Sequence, residues 1–378
     1  MPGLLQGLDP DGLLEYSVVY TDRSLNHMSR RFAQVMLAVQ AGLKTTYHAE
    51  AVALVPGGGT AGMEAVARQF ATGQPVLVVR NGFFSYRWSQ ILEVGGITTD
   101  VTVCKARPLT EAAQAPWAPA PLAEVQAAIA AKRPAVVFAP HVETASGMLL
   151  PDDYLQGLAD ATHAVGGLLV LDCIASGTCW VDMAALGVDV LISAPQKGWS
   201  SAPGFAMVMF SPAALARLDA TTSTSFMLDL KKWRQIMQAY ETGGHAYHAT
   251  LPTMAIAELA RTMQEMQIIG LPVLRARQDE LGQRVRALLA ERGFPSVAAP
   301  GFAATGVVVC HTLDPEIQSG RRFVAQGLQI AAGVPLMCDE PASWRTFRMG
   351  LFGLDKWADV DATVQRLTAA LDAIQAQG

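Results

Sequence analysis

The sequence predicts an α/β protein with a large unit built on a mostly parallel sheet flanked by helices, followed by a small C-terminal α+β unit. Three observations carry this expectation. Short apolar runs bounded by turn residues alternate with helical patterns through residue 210, as in successive βαβ units. The runs 168–171 (LLVL) and 188–192 (VDVLI) are nearly continuous in apolar residues, which suits strands buried on both faces. At 378 residues the chain exceeds one ordinary core, so two domains are expected.

Composition narrows the function class. Hydrophobic residues make up 51% and charged residues 16%, with mean hydropathy +0.25, so a subunit partner is expected to cover apolar surface. No apolar stretch reaches the ~18–20 residues of a bilayer span. The N-terminus lacks the basic and apolar regions of a signal peptide. A net charge of −5 without a dense basic block argues against nucleic acid as partner. Five cysteines, odd in number and without a CxxC spacing, argue against a zinc site or disulfide framework and for the cytoplasm.

In chain order, residues 1–20 read as an arm, rich in Gly and Leu, that lies across a neighbour. Phe32, Met36, Val39 and Leu43 recur at helical spacing, predicting a helix over 29–43. A strand, a glycine cluster and a helix follow over 51–70, and Gly57, Gly59 and Gly62 satisfy GxGxxG. The next apolar run ends on Arg80 rather than on the acid that grips a ribose, so the dinucleotide reading is weak. What survives is a glycine turn opening a helix, either an anion cradle of backbone N–H groups or a tight βα turn. Phe83, Phe84, Tyr86 and Trp88 come next, an aromatic group that serves as core or as ring platform. Residues 109–121, rich in Ala and Pro, predict a surface loop before a helix over 122–132. A buried strand over 135–139 leads to His141, Glu143 and Thr144 in a polar loop. Past Ser211 the pattern turns helical. The domain change is expected near residue 270, giving a large domain over 21–269 and a small one over 270–378. The small domain holds a strand over 306–310, a helix near 321–326 and a final helix over 360–376.

The chemistry concentrates in residues 167–204. Asp172 ends one apolar run and Lys197 follows the next, with an insert of helical length between the runs. If the runs are neighbouring parallel strands, both residues fall at the carboxyl edge of the sheet, where open α/β sheets bind ligands. A lysine in a partly dry site has a lowered pKa and forms a Schiff base with an aldehyde. A carboxylate beside it can hold a pyridinium nitrogen protonated, the pairing found around pyridoxal 5′-phosphate. The plainer alternative is a solvated loop lysine and a strand-end turn residue.

The segment SAPQKGWSSAPG, preceded by LDCIASGTCWVDMAALGVDVLI, resembles the cofactor-lysine segment of class V aminotransferases of the alanine–glyoxylate and serine–pyruvate branch. The resemblance runs from about residue 52 to 353. It implies the aspartate-aminotransferase-like architecture of pyridoxal-phosphate enzymes of fold type I, with Lys197 and Asp172 as catalytic residues. Gly58, Gly59, Thr60 and Gln196 then hold the phosphate, Phe84 stacks on the ring, and Thr144 reaches the ring oxygen. Tyr247 and Thr250 match the loop that relatives lend to the adjacent subunit's phosphate, implying a homodimer with shared active sites. Arg348, within Phe-Arg-Met-Gly, matches the arginine that forks onto the substrate α-carboxylate. The implied reaction moves an amino group from an amino acid to a 2-oxo acid such as glyoxylate or pyruvate. Two rivals stand beside it: a cysteine-desulfurase-like lyase with Cys338 as nucleophile, and a cofactor-holding module without turnover. His245 and His248 suggest no metal site, lacking a third ligand. Two stretches depart from the branch. Residues 18–27 replace a Gly-Pro-rich stretch and carry Arg23, which either binds a second acidic group of the substrate or, the favoured reading, pairs with Asp22 or another carboxylate; Trp199 is bulky where a small residue is common.

Overall fold

The computed structural model describes residues 8–9 and 12–376, so the arm expected over 1–20 falls partly outside the described residues. Among the described residues, seven strands form the main sheet: β1 (Ala51–Pro56), β2 (Val76–Arg80), β3 (Val101–Lys105), β4 (Val136–Pro140), β5 (Leu168–Asp172), β6 (Val190–Ser193) and β7 (Phe205–Phe210). Their order across the sheet is β1-β7-β6-β5-β4-β2-β3. The neighbours from β6 to β3 are parallel, and β7 runs antiparallel to both β6 and β1. The sheet is mostly parallel because each apolar run is covered by helices on both faces and only β7 returns without a crossover helix.

The helices form where the sequence places caps and apolar stripes. Arg30–Tyr47 starts at Ser29, whose hydroxyl accepts from the Phe32 N–H at 3.0 Å, and buries Phe32, Met36, Val39 and Leu43. Leu122–Lys132 and Val360–Ala376 form where the pattern predicts them. Thr253–Ile269 and Leu271–Glu291 meet at Gly270, whose φ of 97° breaks the run between them. A second sheet holds β8 (Val307–His311), β9 (Ala331–Ala332) and β10 (Thr346–Gly350), with β10 in the middle.

Two expectations are corrected. The stretch 109–121 is not a simple surface loop. Trp117 and Ala118 pair antiparallel with Arg107 and Pro108, and Trp117 is buried. Its N–H donates to Val297 O at 2.7 Å and its carbonyl accepts from Ala299 N–H at 2.9 Å. The insert between β5 and β6 is of helical length but not a helix. Only Met183–Leu186 coils, because the preceding residues, including Thr178 and Cys179, turn inward and are buried.

Candidate active site

Asp172 ends β5, aligned with Pro140 at the end of β4 and with Ile192 in β6. Three parallel strands therefore stop nearly level, and their following loops build one cleft. β3 lies outside β2 while the next strand, β4, lies on its other side, so the order in which strands are added reverses between the parallel neighbours β2 and β4. Ligand crevices of open α/β sheets sit at such a reversal. The cleft encloses about 120 Å³ and is lined by Gly59, Thr60, Phe84, Arg87, Thr144, Asp172, Gln196 and Lys197, among others.

Two larger hollows lie elsewhere. One of about 620 Å³ follows the edge strand β3, and its charges are already paired: Lys105 with Asp339 at 2.7 Å, Arg107 with Glu124. The other, about 330 Å³, lies between Ile268, Ile269 and Leu354 and is mostly apolar in lining. Chemistry rather than size distinguishes the cleft at the strand ends. Among the described residues, Asp172, Lys197, Arg87 and Arg348 form no ion pair there.

Burial pushes the Asp172 carboxyl up to about 7, helped by the Glu143 charge; the Ile174 N–H on Oδ1 at 2.9 Å, Lys197 and Arg87 pull the other way. Burial also lowers the Lys197 ammonium from its ordinary value, with Arg348 and Arg87 adding to the effect and Asp172 opposing it. The Lys197 Nζ lies 5.4 Å from the centre of the Phe352 ring. A lysine made less basic beside a carboxylate held near neutrality is equipment for imine chemistry.

Glu143 organises the wall between β2 and β4. It is fully buried, and its two oxygens accept from the N–H groups of Phe84, Ser85 and Ala145 and from the Ser85 hydroxyl, at 2.6–3.2 Å. It thus caps the helix Phe83–Val94 and fixes where Phe84 and Arg87 project. His141 is structural. Its N–H donates to Asp172 O at 2.9 Å, its Nδ1 lies 2.7 Å from Ser176 Oγ, and burial pushes its ring down to about 3, so it stays neutral.

Most residues expected at the site meet there. Gly59, Thr60, Phe84, Thr144, Asp172, Gln196 and Lys197 line the cleft, and Gly58 caps the adjoining helix Gly59–Phe70. A side-chain carbon at Gly59 would lie 2.4 Å from Ile174 Cδ1, so glycine lets that helix end approach the loop after Asp172 without displacing Ile174. Arg348 reaches the same wall, its guanidinium carbon 5.4 Å from the Phe84 ring centre and its Nε donating to Ala332 O at 2.8 Å. Arg87 and Phe352 were not expected. Arg87 is three residues beyond Phe84 on one helix face, a spacing that could have revealed it.

Tyr247 and Thr250 do not reach this chain's own cleft. Their hydroxyls meet at 3.0 Å on an exposed loop, where the Tyr247 ring leans on His27 at 5.5 Å. Residues 18–27 join that loop: the Tyr20 hydroxyl donates to Leu251 O at 3.1 Å, and the Tyr240 hydroxyl to His27 O at 2.8 Å. Arg23 is exposed and, among the described residues, makes none of the ion pairs expected of it. Trp199 faces the core, not the cleft, donating to the Tyr47 hydroxyl at 3.2 Å and packing on Trp180. Cys338 is buried, donates to Arg80 O at 3.4 Å, and has its thiol pushed up to about 12, chiefly by burial. That is the opposite of a nucleophile on a mobile loop. Among the described residues, no group of three or more His, Cys, Asp or Glu side chains is arranged to hold a metal.

Comparison with known proteins agrees with this geometry. Residues 13–342 match the family described as aminotransferase class-V. The chain belongs to that family. Relatives of this class-V chain include a protein named soluble hydrogenase, small subunit, from Synechococcus sp. (strain PCC 6716), 28% identical over 92% of this chain and 87% of its own length. Another is alanine–glyoxylate aminotransferase of Oryctolagus cuniculus, 27% identical over 92% of this chain and 86% of its own. The crystal structure of an alanine–glyoxylate aminotransferase from Nostoc sp. has the same fold, with a TM-score of 0.79, 22% identity, and coverage of 93% of this chain and 89% of that one.

The family implies pyridoxal phosphate, and the residues present fit it. The helix Gly59–Phe70 turns its N-terminus to the cleft without an acid in its first turn, as a phosphate requires. Asp172, buried and without an ion-pair partner, suits a protonated ring nitrogen, and Lys197 suits the aldehyde.

Proposed function

We propose that this class-V aminotransferase moves the amino group of an amino acid to a 2-oxo acid, with glyoxylate or pyruvate as acceptor. The observation that carries the reading is the meeting, in one cleft, of a lysine whose basicity burial has lowered and a buried carboxylate that forms no ion pair among the described residues. When bound, the cofactor's conjugated ring is an electron sink for charge released at the amino acid Cα. Gly58, Gly59, Thr60 and Gln196 hold its phosphate and Thr144 its ring oxygen. Phe84 is the platform for its ring, and Asp172 keeps the ring nitrogen protonated. Lys197 Nζ accepts the Cα proton and returns it, as a base matched to neutral pH does. Arg348 receives the α-carboxylate, a role supported by its guanidinium carbon lying 5.4 Å from the centre of the cleft-lining Phe84 ring and by the Ala332 carbonyl occupying only its Nε.

The names of the Oryctolagus and Nostoc relatives favour glyoxylate as acceptor. The hydrogenase name of the Synechococcus relative is not carried over, because the cleft assembles an imine-forming set. Tyr247 and Thr250 complete the phosphate site of a second copy, an arrangement supported by their outward-facing loop and by exposed Leu13, Leu14, Tyr16 and Val18 on the preceding segment. The large and small domains divide at residue 270. Five free thiols favour a reducing compartment, the cytoplasm. Among the described residues no helix is long and apolar enough to cross a membrane.

The test is a donor screen of the cofactor-loaded chain with glyoxylate as acceptor, reading the 2-oxo acid formed from each amino acid. Sulfide from cysteine with no 2-oxo acid would favour the lyase. Cofactor binding without either product would favour a holding module.

A further inference from the structure

Arg87 stands where three features of the site meet. It projects from the start of the second turn of Phe83–Val94, the helix whose first turn Glu143 clamps, on the same face as Phe84. Its guanidinium carbon lies 4.6 Å from the Phe84 ring centre. Its Nη1 donates to Thr60 Oγ1 at 3.3 Å, in the first turn of Gly59–Phe70. That helix end already favours negative charge through its free N–H groups and dipole. The space before it is open, since a side-chain carbon at Gly58 would meet nothing within 4 Å. Among the described residues this guanidinium meets one hydroxyl and one aromatic face but no ion-pair partner, leaving most of its five N–H donors for an anion.

The charge balance of the cleft points the same way. Lys197, Arg87 and Arg348 face Asp172 and Glu143. Glu143 is spent on four donors of the loop and helix. The site is therefore poised for incoming anions, one at each arginine. Arg348 sits on β10 with its guanidinium carbon 5.4 Å from the Phe84 ring centre, whereas Arg87 bonds Thr60 at the helix end.

We infer that Arg87 is a cofactor-binding residue that grips the phosphate group together with the N-terminus of Gly59–Phe70 and Thr60, rather than a ligand for a substrate side chain. The inference rests on the function proposed above. The phosphate dianion takes the guanidinium by charge-assisted hydrogen bonds, leaving the Phe84 face to the ring.

The test compares cofactor-free wild type, Arg87→Gln and Arg87→Lys for affinity to pyridoxal phosphate and to pyridoxal, which lacks the phosphate. Affinity is read by equilibrium dialysis, and folding by circular dichroism. Arg87→Gln should lose about 10- to 100-fold in affinity for the phosphorylated form and be nearly unchanged for pyridoxal, with Arg87→Lys between. An equal loss for both forms would overturn the inference and make Arg87 a support for the ring platform. Unchanged affinity for both, with turnover of aspartate falling relative to alanine, would also overturn it in favour of a side-chain carboxylate site. If wild type itself bound neither form, the proposed function would fall first, a result distinguishable from failure of the Arg87 variants alone.

Discussion

Burying Asp172 opposes folding of the cofactor-free chain, and the sign of that effect is checkable. Its carboxyl sits at about 7 when folded against 3.8 as an ordinary group. Well below pH 4 it is protonated in both states; between about 4 and 7 the unfolded chain gives up its proton while the folded chain keeps it, so stability falls across that window and levels off above 7. A tenfold change in proton affinity is worth about 1.4 kcal/mol, so Asp172→Asn should stabilise the cofactor-free chain at pH 8 by roughly 2–4 kcal/mol. The gain should shrink toward pH 4.5, measured by urea unfolding at both values. Equal stabilities at both would refute the burial argument. In the loaded enzyme the order reverses for activity. The Asn variant cannot supply the charge opposite the ring nitrogen, and turnover should drop by about 100-fold or more. Lys197→Ala should fold and still bind cofactor, yet borohydride should no longer fix cofactor to the chain. Fixation at another lysine would move the assignment.

At the scale of elements, Glu143 links the loop after β4 to the helix Phe83–Val94. Glu143→Ala strands three backbone N–H groups, while the Ser85 hydroxyl keeps Gly82 O at 3.0 Å. The expected loss is about 3 kcal/mol or more, with Glu143→Gln costing less because it keeps acceptor oxygen. Unfolding midpoints within about 1 kcal/mol of wild type would show the cap to be dispensable. Such elements differ in how far sequence reveals them. The ends of β5 and β6 were legible because a polar residue after a buried apolar run has only the sheet edge to occupy. The antiparallel direction of β7 was not, since FAMVMF is as apolar as any parallel strand and its direction is set by short links on either side. Trp117 read as loop because its partners, Val297 and Ala299, come from far along the chain. Phe352 was missed for the same reason: the segment just after β10 brings its ring centre to 5.4 Å from Lys197 Nζ only once the second sheet has docked.

For the whole molecule, the location of Tyr247 and Thr250 bears on how many chains make one active site. Their hydroxyls pair with each other on an exposed loop braced by Tyr20 and His27, and neither lines the cleft around Lys197. In a monomer they would have no role there. In a two-fold dimer the same surface of each copy meets its counterpart, so a loop that reaches one cleft must be matched by its twin at the other. The neighbouring segment, with Leu13, Leu14, Tyr16 and Val18 each more than four-fifths exposed, adds apolar surface that a second copy would cover. The prediction is complementation between two inactive variants, Lys197→Ala and the double variant Tyr247→Phe/Thr250→Ala. Co-expressed in equal amounts, about half of the dimers are mixed, and one of the two sites in each carries no lesion. Activity should return to about a quarter of wild type in the mixture, while each parent alone stays inactive. If the loop instead served its own chain, every site in a mixed dimer would keep one lesion and no activity would return. Sedimentation of the wild type as a monomer at assay concentration would remove the premise altogether.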